Sequence, residues 1–212
     1  MSTFIEPLIL YAVLFFRIST GAALAEESIA FSTTAEIARI FLYNIPSLAL
    51  VWYLLLKVKT FKEWGIAVVG KRDLITAGLA LPALILTGLT ISVISRFFDK
   101  IPPSALFLPP SDPVSWGILI ISCFSTAYLE ESFFRFYLLS KRVEMGLGPH
   151  RAILISALLF SVCHIYEGPW GFLNAALSGI LLAFFFLQSR SLHGIAFAHA
   201  LYNVLAYVLN AA

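Results

Sequence analysis

Three stretches of this chain set polar side chains among almost wholly apolar neighbours. They are Glu130-Glu131-Ser132-Phe133-Phe134-Arg135, Phe160-Ser161-Val162-Cys163-His164 and His199-Ala200-Leu201-Tyr202-Asn203. A carboxylate accompanied by imidazoles and an amide can take a proton from water and steady the negative charge that develops on an attacked carbonyl. In a membrane helix such groups are expensive: a central charge costs about 3 kcal/mol on the insertion scale, and each Leu or Phe returns only about 0.5 kcal/mol. Glu131 and Arg135 are four residues apart, so one helical face can pair them. Glu130 points about 100° away and needs another partner. An ion pair therefore accounts for two of the three charges and leaves Glu130 over. His199 and Asn203 share a face of their own helix. Either histidine alone reads equally well as an interhelical hydrogen-bonding group, but with Glu130 they make a set that one water molecule can join.

The elements that must hold this set are set by composition. Of 212 residues, 60% are hydrophobic and 12% charged, against about 25% charged in soluble domains, so the chain belongs in a lipid bilayer. Runs such as Leu48–Leu56 and Ile180–Leu187 are apolar on every face. That excludes the alternating strands of a barrel and favours helices. The expected fold is an all-α, polytopic transmembrane bundle forming a single integral membrane domain over 1–212. It has about seven spans, six to eight allowing for the ends, at 4–22, 38–58, 74–96, 114–140, 150–166, 170–188 and 192–210. Pro102, Pro103, Pro109, Pro110 and Pro113 mark a long connection before the fourth span, and Gly146, Gly148 and Pro149 a break before the fifth. The segment Thr60–Gly70 reads as a short interfacial helix. Phe4–Ile18 lacks the positive n-region of a signal peptide and is expected to stay as a helix.

Basic residues crowd alternate connections: Lys57, Lys59, Lys62, Lys71 and Arg72, then Lys141, Arg142 and Arg151, then Arg190. This predicts a cytoplasmic N-terminus and an external C-terminus. With 1.5 Å of rise per residue, Glu130, His164 and His199 lie roughly 15, 20 and 10 Å from the cytoplasmic ends of their spans, depths that permit contact.

The motifs E-E-x-x-x-R, F-x-x-x-H and H-x-x-x-N, in order and each inside an apolar segment, resemble the CPBP (Abi) intramembrane proteases. These include the type II CAAX prenyl endopeptidases and their bacterial relatives. The resemblance spans 114–210, which would be the catalytic helical core. It implies an intramembrane glutamic endopeptidase in which Glu130 activates water with the help of His164, and His199 with Asn203 stabilises the oxyanion. Glu131 and Arg135 would be supporting groups, and Phe160 would pack. No cofactor is implied.

Other readings were open to the same residues. Zinc on Glu130, His164 and His199 is one, although no H-E-x-x-H helix occurs and Asn203 is a poor zinc ligand. Ser178-Gly179 with His199 is faintly similar to rhomboid proteases, yet Ala176 stands where those carry Gly, and close helix packing explains the pair better. A nonproteolytic binding or immunity protein is a third, since fold alone does not decide function. The expected partners are the bilayer and a membrane-anchored protein or peptide substrate. A net charge of +2 without a basic run gives no nucleic-acid signature. Cys123 and Cys163 lie in apolar segments and read as small buried hydrophobes. Trp52, Trp64, Trp116 and Trp170 read as bilayer anchors. Short loops suggest a bacterial inner membrane.

Overall fold

The computed structural model describes residues 5–15, 31–66, 68–98 and 108–211. Among these residues the regular structure is helical: α1 (Ile5–Phe15), α2 (Thr33–Leu56), α3 (Lys71–Phe98), α4 (Pro113–Lys141), α5 (Pro149–Val162), α6 (Gly168–Ser189) and α7 (Leu192–Ala211). Five of them, α2, α3, α4, α6 and α7, are long and apolar enough to cross a membrane. The helices α1 and α5, with 11 and 14 residues, are shorter than a full crossing. Part of the 4–22 segment lies outside the described residues.

The fifth segment ends early for a local reason. Cys163 closes α5, His164 leaves helical geometry (φ −106°, ψ 11°), and a 3-10 turn over Ile165–Glu167 leads to Gly168 at φ +78°, a backbone setting open to glycine. His164 therefore sits on a turn after the helix and not within it. Within the 60–70 connection, the stretch 60–66 is also not a helix. It is a hydrogen-bonded turn in which the Thr60 backbone N–H and hydroxyl both donate to Glu63 at 2.8 Å.

Side-chain bonds fix how the helices run. Ser191 Oγ donates to Asp73 at 2.5 Å where α3 and α7 begin, so these two helices start at one end of the bundle. At the opposite end Thr33 and Ser115 hydroxyls meet at 2.9 Å, where α2 and α4 begin. Gly194 lets α7 close onto α3. A Cβ there would lie 2.6 Å from the Thr76 Cβ and 2.7 Å from the Asp73 carbonyl oxygen, an approach only glycine permits. The core gathers around α4: Phe133 and Phe134 are fully buried and stack with Phe15 of α1 at 5.0 and 4.8 Å.

Two π turns interrupt otherwise continuous helices. In α2 the Ile45 N–H reaches back to the Ile40 carbonyl. In α4 the segment Glu131–Tyr137 is π-helical, with the Leu138 N–H bonded to the Phe133 carbonyl. Such bulges re-aim side chains and recur at functional sites. Here all seven residues of the turn are buried, so the bulge packs both ionisable groups of the supporting pair into the protein interior.

Candidate active site

The π turn separates the two glutamates into different surroundings. Glu131 is completely buried and accepts from two sides: Arg135 donates to its Oε1 at 3.0 Å, and His199 Nδ1 lies 2.8 Å from the same oxygen. Glu130 keeps 13% of its side chain exposed and stands 3.7 Å from His199 Nε2, too far for a direct hydrogen bond. Thus one carboxylate is wholly buried, with Oε1 held by two donors and Oε2 without a hydrogen-bond partner among the described residues, while the other is partly exposed.

Arg135 is buried entirely and needs more than one partner, since a desolvated guanidinium is costly unless satisfied. Its second bond goes to the Gly179 carbonyl at 3.3 Å, and its cation lies 4.4 Å from the centroid of the Phe160 ring. Glycine at 179 permits this approach between α6 and α5. A Cβ there would meet Ala157 Cα at 3.2 Å and the Phe160 ring at 3.3 Å.

Phe160 does more than fill space. Its ring centroid is 4.5 Å from that of His164 and 5.8 Å from that of His199, so a single aromatic platform spaces the two imidazoles and carries the arginine. Its carbonyl also fixes a tautomer. His164 Nδ1 is 2.9 Å from the Phe160 oxygen. A carbonyl only accepts, so Nδ1 bears a proton, and in the neutral form of the ring the lone pair is on Nε2.

The residues expected from sequence are thus assembled to different degrees. Glu131 contacts Arg135 and His199, Glu130 lies 3.7 Å from His199, and the Phe160 ring packs on both His164 and His199. Asn203 lies one turn beyond His199 on α7, half-buried, and its side chain makes no hydrogen bond among the described residues. The hydroxyl of Ser178 is buried and has no hydrogen-bond partner among the described residues, so nothing there would activate it as a nucleophile. No three His, Cys, Asp or Glu side chains among the described residues stand in metal-holding geometry.

Several contributions were not legible beforehand. Trp52 donates to Ser132 Oγ at 3.2 Å and packs on Phe136 at 5.4 Å. Trp64 donates to the Leu55 carbonyl at 3.0 Å. Both therefore brace the helix carrying the glutamates, a packing role rather than that of a bilayer anchor alone. Asn174 and Tyr202 exchange hydrogen bonds of 3.1 and 3.2 Å between α6 and α7, just below Asn203 in sequence. The only sequence signal for that pair was an amide in an otherwise apolar helix.

No curated protein and no solved structure matches the chain. A family model does: the one described as type II CAAX prenyl endopeptidase Rce1-like matches residues 112–205, the stretch holding both glutamates, Arg135, both histidines of the site and Asn203. Over that segment, a little under half of the chain, the protein is similar to the Rce1-like family of type II CAAX prenyl endopeptidases, and five of its helices are long and apolar enough to cross a membrane.

Proposed function

We propose that the protein is an intramembrane endopeptidase that hydrolyses a peptide bond of a membrane-associated protein or peptide, with Glu130 as general base. The observation that carries this reading is the contrast between the paired carboxylates. Glu131 is wholly buried with its Oε1 held by Arg135 and His199, whereas Glu130 is partly exposed and accepts no hydrogen bond among the described residues. A general base needs an oxygen that water can reach, and Glu131 is wholly buried whereas Glu130 is partly exposed.

In the proposed reaction a water held between Glu130 and the lone pair of His164 Nε2 gives a proton to Glu130. The resulting hydroxide oxygen bonds to the peptide carbonyl carbon, whose oxygen becomes the oxyanion. His199 and the Asn203 amide donate to that oxyanion. Because His199 Nδ1–H is spent on Glu131, its Nε2 donates only when the ring carries both protons. The C–N bond then breaks, the proton on Glu130 passes to the leaving amine, and the products are a carboxylic acid and an amine. No Ser or Cys nucleophile and no metal is used. The setting proposed is a bacterial inner membrane with the N-terminus in the cytoplasm.

The test is cleavage of a panel of membrane-anchored peptides by the purified protein in lipid, for wild type, Glu130→Gln and His164→Ala, with and without a strong chelator. Removing a general base should lower the rate by about 10²–10⁴-fold, with chelator without effect. Cleavage that persists in both variants would sink the assignment. Inhibition by chelator that zinc reverses would transfer Glu130, His164 and His199 to a metal mechanism.

A further inference from the structure

Away from the glutamates, where α3 and α7 begin, a second group of charged side chains surrounds a cavity. Its walls come from three separate stretches: Gly65 and Val68 of the connection after α2, Arg72 and Asp73 at the start of α3, and Arg190 and His193 at the junction of α6 and α7. The cavity has a volume of about 30 Å³, room for roughly two water-sized groups. Its carboxylate is already committed within the protein: Asp73 Oδ1 accepts from the Ser191 hydroxyl at 2.5 Å and Oδ2 from the Gly70 N–H at 2.9 Å. The guanidiniums are not. Among the described residues the side chains of Arg72 and Arg190 make no hydrogen bond and no salt bridge; that of Arg190 lies beside the Phe186 ring, 5.8 Å from its centroid. Two arginines against one carboxylate leave the wall net positive.

The backbone at Arg190 is an independent sign. Among the described residues it is the one residue other than glycine at positive φ (φ 53°, ψ 29°), and it closes α6 with its N–H on the Phe186 carbonyl. Glycine usually takes that place, having no Cβ to clash. An arginine held there points to a use for its side chain.

The surroundings set the level of the cavity. The connection that forms one wall carries Val68 at 93% exposure, with Val58, Phe61 and Val69 also exposed, among the exposed lysines Lys57, Lys59 and Lys62. Apolar and basic side chains mixed in this way lie in the membrane interface, among lipid headgroups.

We infer that this cavity binds the phosphodiester of an anionic phospholipid, with Arg72 and Arg190 donating to its two unesterified oxygens. Two oxygens match the volume, and a guanidinium presents its N–H donors in a fork suited to phosphate. The exposed valines place lipid, and not free phosphate, at the mouth. The site is separate from the glutamates and independent of the protease reading.

The test uses the purified full-length protein in a neutral detergent, titrated with short-chain phosphatidylglycerol, with phosphatidylcholine of the same chain length, or with inorganic phosphate. A ligand that binds the folded state raises the thermal unfolding midpoint with concentration. Phosphatidylglycerol should raise it, and the other two should not at equal concentration. The pair Arg72→Gln/Arg190→Gln should need about tenfold more phosphatidylglycerol, or beyond, for half the effect. The pair Lys57→Gln/Lys62→Gln, which removes the same charge nearby, should change it far less. Arg190→Gly separates binding from folding: without lipid its midpoint should be no lower than that of wild type, since glycine suits the left-handed backbone, yet its response to phosphatidylglycerol should weaken. Equal losses in the arginine and lysine pairs would reduce the site to diffuse surface charge and overturn it. Inorganic phosphate acting as well as phosphatidylglycerol would overturn the lipid assignment, and an undiminished response in Arg190→Gly would remove Arg190 from the site.

Discussion

At the residue scale the two adjacent glutamates stand in different surroundings. Glu131 lies wholly buried between Arg135 and His199, and a buried charge stripped of its partner is strongly penalised. Glu131→Ala is therefore expected to cost about 3–5 kcal/mol, read as a fall in the thermal unfolding midpoint in detergent. Glu130→Gln removes no direct hydrogen bond, so it should leave that midpoint nearly unchanged while abolishing cleavage. Equal loss of stability in both variants would show that the glutamates are not differentiated as described. Phe160 belongs to the same scale, because its ring and carbonyl together set the spacing of both imidazoles and the tautomer of one.

At the element scale, positioning depends on close helix approach and on how helices begin. Gly194→Ala would force a methyl group into Thr76 and the backbone of α3. Overpacking of this kind costs about 1–3 kcal/mol. The same detergent unfolding experiment should detect it, and an unchanged midpoint would mean that α3 and α7 part easily. The start of α4 is pH-sensitive. Asp112 accepts from the Ser115 hydroxyl at 2.6 Å and from the backbone N–H groups of Ser115 and Val114 at 3.0 Å. These bonds, the Ser115 side chain first, hold its carboxyl below the ordinary range near roughly 4. A depressed value means that the stabilisation is present above the unfolded-state pKa and is lost as pH falls through the folded-state one. Asp112→Asn should thus unfold at lower temperature than wild type at neutral pH, and the gap should close in acid. A gap that stays constant with pH would remove the carboxylate from this role.

At the scale of the whole molecule, the segment 112–205 packs against the helices that precede it. Its aromatic centre is completed by Tyr11 and Phe15 of α1, and α7 is seated on α3 through Gly194 and through Gly88, where a Cβ would come within 2.3 Å of the Tyr202 hydroxyl. Residues 108–212 expressed alone should lack activity, and co-expression with residues 1–107 should restore it, since membrane helices associate after insertion. Full cleavage by the shorter piece would show that the first three helices are dispensable to the site.

Composition and spacing alone determined that this chain is a helical membrane protein, where its apolar segments fall, and which polar residues are out of place. The reason is that lipid penalises every unpaired polar group, so an intramembrane Glu, Arg or His announces itself. The i, i+4 pair of Glu131 and Arg135 was legible for the same reason and is present at 3.0 Å. Tertiary structure alone decided the rest. A π turn depends on which packing an extra residue relieves, and periodicity at 3.6 residues cannot reveal it. The end of α5 before His164 follows from a turn closed at Gly168, although the apolar run of sequence continues. The partner of Glu131 across the bundle, His199, sits 68 residues away, and the tautomer of each imidazole follows from the acceptor it meets. Sequence names the groups that lipid would reject, but the contacts between helices decide which of them is paired and buried and which is left partly exposed.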